Sequence, residues 1–187
     1  PENGFYLLSF QTDNEIYCFD LRFLLEDGSS RVTDWYNLGP MAIFRTSGRK
    51  LYFGMAGYLG EYSGYLDNTS TYRMKYYTSW MALNSSAHNI ILKKASFTVI
   101  GAHGQVYSLK AGFDFTPEQK SEQRTITDKP ISEYGIAEYG IDEYGSLYDI
   151  ELIKSTLGGF GNVVQLGVET DVNGEAISIQ KIDIFYK

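Results

Sequence analysis

The alternation near the end of the chain limits the fold more tightly than any other feature. Val164, Leu166, Val168, Thr170 and Val172 alternate with Gln165, Gly167, Glu169 and Asp171, a period of two that suits a strand with one buried face. Asn173-Gly174 follows, the dipeptide favoured in two-residue turns because both positions tolerate positive φ. A terminal β-hairpin is therefore expected. On the return, Ile177 and Ile179 set one phase, whereas Ile182, Ile184 and Tyr186 take the other. One apolar face survives such a switch only if the strand takes up an extra residue, which predicts a bulge near Gln180-Lys181.

The rest of the chain reads as β-structure too. Sixteen Tyr and eleven Phe against four Pro, with few long helical patterns, favour strands. Residues 15–26 are rich in Tyr, Phe, Ile and Leu, Asp27-Gly28 supplies a tight turn, and residues 31–38 return with Trp35 and Tyr36, which together read as a hairpin. Residues 41–45, the turn Thr46-Ser47-Gly48, residues 50–55, Gly57 and residues 58–62 continue the up-and-down rhythm. Four short strands with a Trp and Gly-rich turns, ending in Leu51-Tyr52-Phe53-Gly54, are what one propeller blade requires. Residues 1–66 are accordingly expected to form propeller-like antiparallel strands, with an ordinary meander as the alternative. The polar run Asp67, Asn68, Thr69, Ser70, Thr71 marks a boundary, and residues 67–187 are expected to form a β-sandwich-like module.

In that second module, Tyr72, Met74, Tyr76 and, after Thr78, Trp80 alternate with Arg73, Lys75, Tyr77 and Ser79, giving a half-buried strand. Residues 90–100 and 105–115 follow as strands joined through Gly101-Ala102-His103-Gly104. Residues 116–130 are polar and without period, and open an extended Tyr/Gly-rich loop over residues 116–147. Residues 147–157 permit one short helix. The expected fold class is all-β.

That loop carries a triplicated pentad: Glu133-Tyr134-Gly135-Ile136-Ala137, Glu138-Tyr139-Gly140-Ile141-Asp142 and Glu143-Tyr144-Gly145-Ser146-Leu147. A five-residue period matches neither strand nor helix, so no single face can bury Tyr134, Tyr139 and Tyr144 together. Glycine after each Tyr weakens regular structure further. The pentads are expected to form an extended, turning arm, with Glu133, Tyr134, Glu138, Tyr139, Glu143 and Tyr144 as the candidate intersubunit contact. The alternative is a loop laid over the protein's own body.

Charge and chemistry narrow the function. With 43% hydrophobic and 21% charged residues the 187-residue chain suits a packed protein. A formal net charge of −7 disfavours gripping nucleic acid by its phosphates but permits enclosing DNA without adhesion. Cys18, the single cysteine, lies in the strand-like Ile16-Tyr17-Cys18-Phe19, so no internal disulfide forms, and a buried thiol in a reducing compartment is expected. No apolar run reaches the length of a membrane span. The chain opens on Pro1-Glu2-Asn3-Gly4 without an initiator Met or a signal-peptide pattern, as a piece of a longer or processed polypeptide would.

No catalytic, cofactor or metal site is expected. His88 and His103 have no metal-ligand companions, and Cys18 is remote from both. The pairs Glu133 with Glu138 and Asp142 with Glu143 lie on a Gly-punctuated segment, whereas glycosidase carboxylates need rigid supports across a cleft. Asp171-Val172-Asn173-Gly174-Glu175 lacks the spaced ligands of a calcium loop, and Gly158-Gly159-Phe160-Gly161-Asn162 precedes a strand where a phosphate loop would open a helix. The sequons Asn68-Thr69-Ser70 and Asn84-Ser85-Ser86 carry little meaning without a leader. The basic doublets Arg49-Lys50 and Lys93-Lys94 are too small for a nucleic-acid footprint. Tyr76, Tyr77 and Trp80 suit core and interface packing, with stacking on sugars or bases as the alternative.

Read in order, the blade-like module, the polar connector, the Tyr-x-Met-x-Tyr-Tyr-x-x-Trp strand, the repeated Glu-Tyr-Gly segment and the closing Ile177-Ser178-Ile179-Gln180-Lys181-Ile182-Asp183-Ile184 resemble a known family. The chain is similar to the C-terminal part of the tail nozzle, or packaged-DNA stabilisation, proteins of short-tailed bacteriophages. The resemblance covers most of the chain and rests on strands and aromatics. It implies a non-enzymatic virion structural protein, forming a homo-oligomeric ring around the DNA exit channel, retaining packaged DNA and guiding its ejection. The implied partners are the adaptor, a fibre or spike protein, and enclosed DNA bound without sequence specificity. The implied location is the virion tail, assembled in the host cytoplasm. The competing expectation is a receptor- or glycan-binding module of a tail fibre or adhesin, and an enzyme ranks third.

Overall fold

The computed structural model describes residues 4–83, 90–101, 104–116, 119–126 and 150–187. The fold is all-β: fourteen strands form four antiparallel sheets, and no helix occurs among the described residues. The chain divides into two units, Pro1–Ser63 and Gly64–Lys187.

In the first unit, β1 (Phe5–Phe10), β2 (Glu15–Leu24) and β3 (Ser30–Tyr36) form one meander, and β4 (Ala42–Arg45), β5 (Leu51–Met55) and β6 (Tyr58–Glu61) form another. The expected turns are present. Asp27 Oδ1 accepts from the Ser29 amide at 2.9 Å, and Gly28 takes φ +81°. The backbone breaks between the two meanders, where Asn37 has a φ of 60° and Pro40 contributes no N–H. This corrects the blade expectation. Residues 1–66 do not build a sheet of four: two sheets of three form, and no propeller or closed sheet exists among the described residues. Within the unit, Trp35 stacks on Tyr62 (centroids 5.3 Å apart) and meets Phe53 edge-on at 6.4 Å, while Ile16 sits opposite Trp35 in the ladder.

In the second unit, one sheet runs β10 (Lys120–Thr125), β9 (Val106–Phe113), β13 (Val164–Val172) and β7 (Tyr72–Tyr77). The other centres on β8 (Ile90–Gly101), with β11 (Ile150–Ser155) and β12 (Gly159–Gly161) along one edge and β14 (Ile177–Tyr186) along the other. Alternate residues of both sheets enter one core: Leu92, Phe97 and Val99 from β8, Tyr107 and Leu109 from β9, and Leu166 from β13 are almost fully buried.

Three expectations change here. First, β13 and β14 do not make a hairpin. Both edges of β13 are already taken, by β9 and β7, so Asn173-Gly174 carries the chain across the core and β14 pairs with β8. Dipeptide chemistry encodes reversal, not the identity of the neighbour. The bulge does lie where the phase switch puts it, between Ile179 and Lys181. Second, the 116–147 loop expectation fails at its start, because residues 120–125 are strand β10, paired with β9. Third, residues 150–155 form β11 where a helix was allowed.

Strand β10 lacks hydrophobic periodicity because one of its inward positions is a carboxylate with a job. Glu122 Oε2 accepts from Ser155 Oγ and from the Thr156 amide, each at 2.9 Å, tying the edge of one sheet to the end of β11 in the other. Arg124 also donates to it. Burial pushes the Glu122 carboxyl up, but the hydrogen bonds and Arg124 together hold it below the usual carboxylate range. Glu122→Ala leaves the fully buried Ser155 hydroxyl and the Thr156 amide short of a partner. A loss of about 2–4 kcal/mol is expected in urea titration. A depressed folded-state value means stability that is present above the unfolded value near pH 4.3 and disappears as pH falls through the folded one. The wild type should therefore lose stability on acidification more steeply than Glu122→Ala.

Candidate functional site

The sequence-predicted contact residues Glu133, Tyr134, Glu138, Tyr139, Glu143 and Tyr144 lie outside the described residues, as do His88 and His103. Cys18 is described, and it is partly exposed where a buried thiol was expected. Burial and the nearby Asp20 nevertheless raise its pKa and favour the neutral thiol, outweighing Arg22, which lowers it. No group of three or more His, Cys, Asp or Glu suited to a metal occurs among the described residues. Asp171, from the calcium-like segment, is paired with Arg73 at 3.0 Å. The glycine run 158–161 contains strand β12, and the amides just beyond it are already occupied: Asp114 Oδ1 accepts from Asn162 N at 2.6 Å and from Val163 N at 3.2 Å. No described helix is long and apolar enough to cross a membrane. The turn between β4 and β5 borders an open hollow of about 470 Å³ lined by Arg45, Thr46, Ser47 and Arg49.

Two surfaces stand out. The first is the apolar exterior of the Pro1–Ser63 unit. Among its described side chains only Ile16, Pro40 and Phe53 are buried, yet Phe23 is 70% exposed and Met41 and Tyr36 are each 65% exposed. The apolar residues gather at the end of the β2–β3 hairpin, where Leu21, Phe23, Leu24 and Leu25 all face solvent. The ladder register shifts between Asp20 and Leu24, so residues 21–23 stand outside the regular pairing while Leu24 still faces Ser30. A unit of this size that leaves so much apolar surface in water has a thin core for its length.

The second surface is the outer face of the β10-β9-β13-β7 sheet. Gly112 on β9 and Gly167 on β13 are diagonal neighbours there, and an aromatic ring lies over each. The Trp80 indole would come within 3.1 Å of a Cβ at position 112, and the Tyr77 ring would collide with one at 167. The strand alternation expected for residues 72–80 puts Trp80 and Tyr77 on opposite faces, but β7 ends at Tyr77. Beyond it, Thr78 Oγ1 accepts from Leu166 N at 3.1 Å, and the Thr78 carbonyl accepts from Gln165 Nε2 at 2.9 Å. That irregularity brings Trp80 up beside Tyr77.

Phe115 completes this face. Asp114 (φ 49°) and Phe115 (φ 58°) are both left-handed, and Thr116 N donates to Phe113 O at 3.0 Å, as in a type I′ turn. Such turns take Asn or Gly because a bulky side chain at positive φ is strained. Phe115 is nonetheless 68% exposed, with its ring 4.9 Å from that of Trp80. Sequence reasoning missed it, and Asp114 was the one turn-forming residue that could have signalled it. Polar groups border the rings: Gln119 Nε2 donates to Gln165 Oε1 at 3.2 Å, and Tyr77 donates to Glu169, which also pairs with Arg73 at 2.8 Å. Burial, followed by the Glu169 hydrogen bond, pushes the Tyr77 phenol up to about 12, so it remains a neutral donor at physiological pH.

No model of a known protein family matches the chain, and no curated protein sequence matches it.

Proposed function

We propose that the chain is a non-enzymatic structural subunit of a phage tail. It is a nozzle component whose copies close a ring around the DNA exit channel, retain packaged DNA and guide its ejection. One observation carries this reading: the Pro1–Ser63 unit buries Ile16, Pro40 and Phe53 but leaves Leu21, Phe23, Leu24 and Leu25 in solvent. Apolar surface on that scale is what an obligate interface covers. A heterologous interface repeated around an axis closes a ring. In this reading β1 to β6 are propeller-like strands whose sheets are completed by neighbours, and the two-layered second unit is a sandwich-like module. The pentads of residues 133–145 reach along an adjacent copy, the adaptor and a fibre or spike protein dock outside, and the net charge of −7 keeps enclosed DNA from adhering.

Negative-stain electron microscopy of the polypeptide tests the proposal. Closed rings with a DNA-wide opening are expected, and deletion of residues 133–145 should reduce their number at least tenfold. Monodisperse monomers at micromolar concentration, with the first unit folded, would contradict it.

A further inference from the structure

The outer face carrying Tyr77, Trp80 and Phe115 has no part in ring closure as proposed above, and its composition indicates another ligand. We infer that this face is a binding platform for a neutral polysaccharide. Three features support the inference. The rings are seated low on the sheet, because Gly112 and Gly167 offer no Cβ beneath them. Gly112 stands opposite Gln165 and Gly167 two residues further along β13, so the two seats are roughly 7–8 Å apart, a span one disaccharide bridges. The C–H face of a pyranose carries partial positive charge and stacks on the negative face of an aromatic ring.

The polar rim suits hydroxyl groups. Gln119 and Gln165 are linked amide to amide, and Gln165 is further fixed to the Thr78 carbonyl. The Gln119 carbonyl oxygen has the chemistry to accept from a sugar hydroxyl. Charge on the face is mixed: Arg73 pairs with both Glu169 and Asp171, and Lys75 and Lys110 stand opposite Glu169 and Gly167 in the ladder. Nucleic acid also stacks on aromatics, but its phosphates would meet Glu169 and Asp171 among the cations of this face.

Phe115 supplies the third feature. Its left-handed φ of 58° costs stability, and its ring is 68% exposed, so little burial offsets that cost. Strain at an exposed aromatic is the pattern of a residue kept for binding.

The test is retention of the full chain on an array of neutral polysaccharides comprising cellulose, laminarin, dextran and galactomannan, read beside thermal melts. Wild type should be retained by at least one of them, and Trp80→Ala and Phe115→Gly should each weaken that retention tenfold or more. Phe115→Gly should also melt at the wild-type temperature or above, because glycine relieves the turn. A purely structural Phe115 would give the reverse, a lower melting temperature with unchanged retention, and would overturn the inference. Retention by none of the polysaccharides, or retention on immobilised poly(dT) alone, would overturn it as well.

Discussion

Gly101→Val is expected to lower the melting temperature of the second unit by roughly 10–15 °C. Gly101 closes β8 with φ +82°, where a β-branched side chain is strained by about 1–2 kcal/mol. Space is the larger problem. A Cβ built at Gly101 would collide with the carbonyl oxygen of Ala176, the residue before β14 begins pairing. Gly101 is itself the first partner of β14, opposite Ile177. The collision is with backbone, so no side chain can rotate away. The first rungs of the ladder must part, which adds about 1–3 kcal/mol. The β14 edge holds Ile177, Ile179, Ile182 and Ile184 against the core, so loosening its start exposes that row. Circular dichroism melts read the effect directly. A drop of less than about 3 °C would mean that the β8–β14 junction adapts freely.

The second large effect concerns the first unit. Dissociated chains are expected to melt in two steps, with the Pro1–Ser63 unit unfolding first and at a temperature that rises with protein concentration. Its described buried residues are Ile16, Pro40 and Phe53, whereas the second unit has a continuous core from β8 across to β9 and β13. Small units with thin cores are stabilised mainly by what they bind. The two tryptophans divide conveniently, Trp35 in the first unit and Trp80 in the second. In Trp80→Phe the fluorescence reports the first unit alone, and in Trp35→Phe the second. The Trp35 transition should move by 10 °C or more between dilute and concentrated samples, and the Trp80 transition should stay fixed. One shared transition, independent of concentration, would contradict the expectation.

How much of this fold the sequence made legible depends on whether the signal is local. The bulge at Ile179 to Lys181 was legible because a phase switch in one strand has one inexpensive solution. The turns at Asp27-Gly28 and Thr46-Ser47-Gly48 were legible through their residue types. Partner choice was not. Asn173-Gly174 reverses the chain equally well within a sheet or between two, and the competition for the edges of β13 decided the outcome. Strand β10 was hidden because Glu122 occupies an inward position and earns it through Ser155 and Thr156, which are distant in sequence. For the candidate platform, Tyr77 and Trp80 were visible as residues but placed on opposite faces, since the break at Thr78 depends on Gln165 and Leu166. Phe115 had only the neighbouring Asp114 as a local signal, because its conformation runs against the preference of its own side chain. The pentads were legible as a period that no regular element satisfies, and they lie outside the described residues.

The central claim is that the first unit is an assembly element completed by its neighbours. Amide hydrogen exchange on the same polypeptide, as dissociated chains and as assembled particles, tests it most directly. In dissociated chains the amides of β1 to β6 should exchange within seconds to minutes while those of β8 and β13 stay protected for hours. On assembly the β1 to β6 amides should gain at least a hundredfold in protection. Equal, strong protection of β1 to β6 and of β8 and β13 in a chain shown by mass to be monomeric would contradict the account.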